Sequence, residues 1–165
     1  MPLTLEPLGE QHFERLHRLF DAVCRERRFM AFTDGGPQER AFAYYAGIVE
    51  AGHTHFVALD GEEVIGWCDV LPLMGQMRAH AGILGMAVSA GHRGHGVGKA
   101  LIQAAIAGAT ERGFTRIELT VHSENQVAQG LYKRVGFQHE GVHRNAWRIE
   151  GRYYDVYFMA RLSDA

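Results

Sequence analysis

Val88-Ser89-Ala90-Gly91-His92-Arg93-Gly94-His95-Gly96-Val97-Gly98-Lys99 joins two unlike pieces of sequence. Before it, Ala81–Ser89 is almost wholly apolar, as a strand buried on both faces would be. After it, Gly98–Glu111 carries Ala100, Leu101, Ala104, Ala105 and Ala109 and reads as a helix, with Gly113 as its stop. A glycine turn between a buried strand and a helix collects backbone N–H groups and the positive end of the helix dipole at one point. Glycine lets that backbone curl and lets an anion approach with no Cβ in the way. Arg93 can add charge-assisted hydrogen bonds to the same anion. The turn Gly94, His95, Gly96, Val97, Gly98 and Lys99 is therefore read as a phosphate or pyrophosphate site. A dinucleotide fingerprint would need a glycine where Lys99 stands, and a P-loop would need one at Arg93 and a Ser or Thr at Ala100. Neither pattern fits.

Outward from the turn, the chain reads as a series of short elements. Leu3–Leu8 alternates like a strand, and Glu10–Phe29 places Phe13, Leu16, Leu19, Phe20 and Val23 at helical spacing. Asp34-Gly35-Gly36-Pro37 breaks that helix from a second one over Gln38–Ala51. Phe56–Leu59 and Val64–Leu73 read as strands joined by a turn starting at Asp60-Gly61. Beyond the central helix, Arg116–Val121 is a strand, Asn125–Val135 a helix ended by Gly136, and Phe137–Glu140 and Tyr153–Arg161 the last strands. The order β-α-α-β-β-β-α-β-α-β-β predicts an α/β fold, a mixed sheet with helices on its faces.

At this point the motifs resemble a known family. Arg93-x-x-Gly96-x-Gly98, preceded by a strand ending in Val88, resembles the pyrophosphate signature of the GNAT N-acetyltransferases. Asn125-x-x-Ala128-x-x-Leu131-Tyr132-x-x-x-Gly136-Phe137 is similar to the family's next helix and strand. The resemblance covers at least residues 55–162, and it implies the GNAT fold, one N-acetyltransferase domain over residues 1–165 and acetyl-CoA as cosubstrate. Gly151–Ala160 is similar both to bacterial members that acetylate amino acids or other small amines and to members that acetylate ribosomal-protein N-termini.

The resemblance also implies residue roles. Backbone donors at Met86, Ala87 and Val88 would lie beside the acetyl group and polarise its carbonyl. Tyr132 matches the general acid that protonates the leaving thiolate. Asn125 would cap its helix and meet the pantetheine arm, Ala128 is small where the cofactor passes, and Lys133 would meet its phosphates. Some members place a glutamate on the strand before the glycine turn as general base. Here Ala79-His80-Ala81-Gly82-Ile83 holds no carboxylate, and His80 is the nearest titratable group. Asp69, Glu124, His53 and His55 are weaker candidates.

The acceptor wall is expected over residues 25–36, where Glu26, Arg27, Arg28, Phe29 and Phe32 mix charge with aromatics. An arginine there could clamp an acceptor carboxylate. The expected acceptor is a small-molecule amine, with an amino acid as the preferred case. The alternatives are a protein N-terminus or lysine, or a non-catalytic acyl-CoA-binding domain.

Bulk properties bound these readings. The 165 residues carry 17 basic and 19 acidic side chains, a formal net charge of -2, which argues against a nucleic-acid partner. Cys24 and Cys68 are too few for a disulfide framework and read as small buried hydrophobes. No apolar run approaches the roughly 20 residues of a membrane span, and the N-terminus has no signal pattern. A cytoplasmic location, no membrane partner, a homodimer as one open state and no metal are expected, since His92 and His95 lack a third ligand.

Overall fold

The computed structural model describes residues 2–163. Its strands are β1 (Thr4–Pro7), β2 (Thr54–Asp60), β3 (Glu63–Pro72), β4 (Ala81–Val88), β5 (Arg116–His122), β6 (Gln138–Ile149) and β7 (Arg152–Leu162). Its helices are α1 (Phe13–Arg25), α2 (Gln38–Glu50), α3 (Val97–Glu111) and α4 (Gln126–Arg134). The chain order matches the sequence reading. All seven strands form one mixed sheet in the order β1-β2-β3-β4-β5-β7-β6.

Alternation along the strands divides the core in two. Cys68 and Val70 of β3, Leu84 of β4 and Ile117, Leu119 and Val121 of β5 face α3, which meets them with Leu101, Ile102, Ala105 and Ala109. Val57, Leu59 and Trp67 point to the other face, against Phe13, Leu16, Leu19 and Val23 of α1 and Tyr45 and Ile48 of α2. Both cysteines are free and fully buried, as the sequence suggested. Burial pushes the Cys24 thiol up to about 11, and Cys68 is also raised by burial.

Two boundaries differ from the sequence reading. The first helix opens with a 3-10 turn over Glu10–His12 and ends at Arg25, because Arg27 adopts a left-handed φ of 50°. Arg27, Arg28 and Phe29 are therefore loop residues. The last hairpin is much longer than expected. β6 runs on to Ile149, which pairs with Arg152 across Glu150 and Gly151, both at positive φ (49° and 83°). That pair of angles is the signature of a tight type I′ hairpin turn.

One pairing defect shapes the rest. β4 follows β3 from Gly82 to Val88, and β5 follows β7 along its whole length. Between themselves, β4 and β5 pair in parallel only from Ala81–Ile83 to Arg116–Glu118. The His80 carbonyl fastens the closed end, accepting from the N–H groups of Thr115 and Arg116 at 2.9 and 3.2 Å. Past Ile83 the strands part, leaving a notch that opens toward the glycine turn.

Gly82 sits at the closed end, where a Cβ would stand 2.6 Å from Val70 Cγ1 and 3.2 Å from the Leu71 carbonyl oxygen. Gly82→Ala should destabilise the fold by about 1–3 kcal/mol through overpacking. Gly47 lies inside α2 with open space at its Cβ, so Gly47→Ala should stabilise by about 0.5–1 kcal/mol. Urea denaturation reads both, and the opposite signs are the check.

Candidate active site

Gly94 and Gly96 adopt left-handed φ values of 78° and 84°, and a Cβ at either would meet nothing within 4 Å. The turn is an open cradle rather than a packed connection. Gly96 caps α3, whose first internal bond runs from the Ala100 N–H to the Gly96 carbonyl at 3.0 Å. The N–H groups of Val97, Gly98 and Lys99 therefore have no partner inside the helix. The Val97 side chain is buried and anchors the turn, while Gly94, His95, Gly96 and Lys99 are exposed. Gly98 lies close to Leu131 and Met86, and a Cβ on it would stand 3.4 Å from each of those side chains. A bare, donor-rich cradle of this kind fits the pyrophosphate of a CoA thioester.

Two side chains beside the cradle are tied to protein partners. His92 shares a 2.7 Å hydrogen bond between its Nδ1 and Ser89 Oγ, and its Nε2 lies 3.4 Å from Asp60. Arg93, expected to reach the anion, donates instead from Nη1 and Nη2 to both Glu26 carboxylate oxygens, at 2.9 and 2.7 Å. Its Nε donates to the Val88 carbonyl at 2.9 Å. Glu26, expected at the acceptor, is thus the clasp between the end of α1 and the turn.

Met86, Ala87 and Val88 lie on the part of β4 that has no β5 partner. Met86 and Val88 pack toward α3, and Ala87 toward the opposite face. Tyr132 lies in α4 on the α3 side, only 7% exposed, with its ring 5.9 Å from Phe137. Burial, reinforced by nearby Cys68, raises its phenol, so the proton stays on throughout the neutral range. Asn125 caps α4, its Oδ1 accepting from the Ala128 N–H at 3.2 Å. Gln129 donates to the carbonyls of His122 and Ser123, at 3.1 and 3.0 Å, and locks α4 to the end of β5. Ala128 is half-buried and Lys133 is exposed.

On the other face, Ile83 is 39% exposed and Thr120 is also open to solvent. The same side of the sheet carries a cleft of about 450 Å³, lined by Arg27, Met30 and Phe32 on one side and Trp147, Arg148 and Glu150 on the other. Arg27 and Phe32, two of the acceptor contacts expected from sequence, thus share a wall. Arg28 instead lies over the Phe29 ring at 4.9 Å, and Phe29 stands 5.4 Å from His122. The β6 wall escapes the sequence reading, although Trp147-Arg148-Ile149 followed by Glu150-Gly151 carries a hairpin signal.

His122 is a second residue that sequence reasoning misses. It is 2% exposed and boxed by Phe29, Trp147 and Tyr154, at 5.4, 5.5 and 4.8 Å between ring centroids. Its Nδ1 accepts the Glu124 N–H at 3.1 Å, and its Nε2 has no partner. Burial lowers its pKa and keeps the ring neutral. Asp69 of β3 is buried, and burial pushes its carboxyl up to about 7. His55, 3.5 Å from it, is pushed down to about 4.

His80 stands apart from the other residues expected at the site. It precedes β4 at the closed end, where its carbonyl is bound by Thr115 and Arg116. At about 3.3 Å per residue, Met86 lies roughly 20 Å along the strand. His53 lines a separate shallow depression with Tyr44 and Leu71, and Glu124 is exposed, 3.6 Å from Arg152.

The sequence matches the family described as Acetyltransferase (GNAT) over residues 16–137. The chain belongs to the GNAT acetyltransferase family. It is 31% identical over 112 residues to the L-amino acid N-acetyltransferase AaaT of Escherichia coli, covering 67% of this chain and 69% of that protein. It is 30% identical over 110 residues to the N-alpha-acetyltransferase RimI of Mycobacterium tuberculosis, covering 66% of each. The chain spans about half the length of the rat N-acetyltransferase 8B that it also matches, 48% of that protein. A phosphinothricin acetyltransferase from Sinorhizobium meliloti, solved with acetyl-CoA, shares the fold with a TM-score of 0.90 at 20% identity, covering 98% of this chain and 89% of that one. As a GNAT protein, the chain is an acetyl-CoA-dependent N-acetyltransferase acting on an amine.

The Glu26–Arg93 clasp makes a measurable claim. The two side chains are 27% and 40% exposed, so a double-mutant cycle with Ala at each position should give a coupling of about 0.5–1 kcal/mol that shrinks with added salt. A coupling indistinguishable from zero at low salt would remove the clasp as a contributor.

Proposed function

We propose that this enzyme acetylates the primary amine of a small molecule, with a free amino acid as the acceptor class that the cleft suits best. The observation that carries the reading is the pairing of cations with aromatics on the cleft walls: Arg27 and Arg148 beside Phe32 and Trp147. A guanidinium can take a carboxylate bidentately while the rings cover an apolar side chain. The similarity to an L-amino acid N-acetyltransferase agrees with it.

In this reading the backbone of Gly94–Lys99 holds the CoA pyrophosphate, with Asn125 and Ala128 along the pantetheine arm and Lys133 near the phosphates. Arg93 would join only by leaving Glu26. The free side of β4 at Met86–Val88 supplies fixed donors to the thioester carbonyl oxygen, on which negative charge develops. The acceptor nitrogen forms its bond to the carbonyl carbon from the opposite face of the sheet. The carbon–sulfur bond breaks, and the departing thiolate takes the Tyr132 phenol proton. A raised phenol pKa means that Tyr132 contributes no titration at neutral pH.

A second reading, acetylation of a protein N-terminus, draws on the open strip at Ile83 and Thr120, which could receive an extended peptide, and on the similarity to an N-alpha-acetyltransferase. The chain has no helix among its described residues long and apolar enough to cross a membrane. A cytoplasmic, single-domain enzyme completes the proposal, with a homodimer as the assembly that light scattering would detect.

Tyr132→Phe should lower kcat by about 10²–10⁴ where chemistry limits the rate and leave the CoA Kd nearly unchanged. Steady-state kinetics with calorimetric CoA binding checks both numbers, and an unaltered kcat would remove Tyr132 as the acid. The acceptor reading predicts that phenylalanine exceeds phenylalanine amide in kcat/KM by about 10- to 150-fold, the worth of one charge-assisted hydrogen bond. Preference for the amide would favour the N-terminal reading.

A further inference from the structure

An acceptor amine that arrives as ammonium must lose a proton before its nitrogen can attack. With His80 at the far end of β4, the groups that border the open strip can be taken in turn. Glu118 of β5 is held by Arg116 and Arg78, at 3.1 and 3.6 Å. Glu26 is clasped by Arg93. His122 is excluded by its tautomer. Because Nδ1 accepts a backbone N–H, the neutral ring carries its proton on Nε2, and the cleft side is a donor rather than a base.

Asp69 differs from all of these. Among the described residues no Arg or Lys lies within ion-pair distance of it. On β3 it stands directly opposite Gly85 of β4, two residues past Ile83, where β4 has left β5. Its side chain points to the α1/α2 side of the sheet, the face shared by Trp67 and Leu71. Asp69 Oδ1 lies over Gly85, 3.4 Å from where a Cβ on that residue would stand. Adjacent strands hold facing Cβ positions about 5 Å apart, so the carboxylate is one strand away from the notch.

We propose that Asp69 is the general base of this enzyme, taking the proton from the acceptor ammonium across Gly85. This rests on the reading above that the acceptor lies on the open face of β4. The first ammonium N–H bond breaks before attack and its proton goes to an Asp69 carboxylate oxygen. The freed lone pair forms the C–N bond. As the carbon–sulfur bond breaks, a second proton leaves that nitrogen and, through water, replaces the one Tyr132 gives the thiolate, and Asp69 later returns its own proton to water. The groups facing Asp69 favour this role. His55 from β2 is neutral at 3.5 Å, with His12 beyond it. Tyr44 and Tyr45 from α2 are both raised by burial and, secondarily, by the Asp69 charge itself. The backbone of Gly85 is the one group that opposes the upward push. A carboxyl held up to about 7 is a stronger base than an ordinary aspartate and is still half ionised at neutral pH.

The sign of the linkage supplies a control. A folded pKa raised above the unfolded value favours the protonated form, so wild-type stability falls as pH rises from about 4 to about 7. Asp69→Asn removes that loss and should melt no lower than wild type at pH 8. The test measures acetyl-CoA consumption with phenylalanine, spermidine and an Ala-initiated peptide, from pH 5.5 to 9.5, for wild type, Asp69→Asn and Asp69→Ala. On whichever amine wild type turns over, Asp69→Asn should lose about 10²–10⁴ in kcat/KM at pH 7. Its acetyl-CoA Kd should not move, its acidic limb near pH 7 should vanish, and added formate should restore part of the Asp69→Ala rate. If Asp69→Asn matches wild type, or formate restores nothing, Asp69 is not the base and the function reading stands. If wild type turns over none of the amines, both fall.

Discussion

Three backbone pairs between β4 and β5 decide what this molecule can do. A parallel pair that continued to Val88 would satisfy the facing N–H and C=O groups and close the sheet. Here pairing stops at Ile83, and the rest of β4 keeps one side free of a β5 partner. The sheet still holds because β4 is bonded to β3 and β5 to β7 along their lengths. The two cores then divide the labour around the opening. Tyr132 and the glycine cradle lie on the α3 side, and the cleft, Asp69 and His122 on the other. In the proposed reaction the amine and the thiolate leaving group are thus approached from opposite faces of one strand.

The parts of this arrangement that are local in sequence are legible there. The cradle is, because left-handed backbone at Gly94 and Gly96 and a helix start are written in neighbouring residues. Tyr132 and Asn125 are legible through their motif. What is not legible is long-range. His80 is suggested as the nearest titratable group where the resembled family places a glutamate, but which end of β4 is open depends on its register with β5. Trp147 and Arg148 are lost because β6 shifts register between His139 and Gly141 and again between His143 and Trp147. Those irregularities break the two-residue alternation by which strands are recognised. Asp69 does leave a signal, a lone acid in the apolar run Val64–Leu73, yet its meaning requires knowing that Gly85 stands opposite.

The clasp of Glu26 on Arg93 connects regions that the sequence alone keeps apart. It fixes the end of α1, and hence the Arg27–Thr33 wall of the cleft, to the glycine cradle proposed to hold the cosubstrate. The same guanidinium also caps the Val88 carbonyl, the last residue of β4. One side chain therefore holds the cleft wall, the end of β4 and the start of the glycine turn in a common frame.

The two buried thiols have a practical consequence. Each acetyl transfer releases one CoA sulfhydryl, and colorimetric thiol reagents count such groups directly. In the folded enzyme Cys24 and Cys68 are sealed from solvent, and their raised pKa values keep them out of the reactive thiolate form. A continuous assay with such a reagent should therefore start from a flat protein blank. Any slow colour from the enzyme alone would mark molecules that have opened, so one cuvette can report turnover and loss of the native state together.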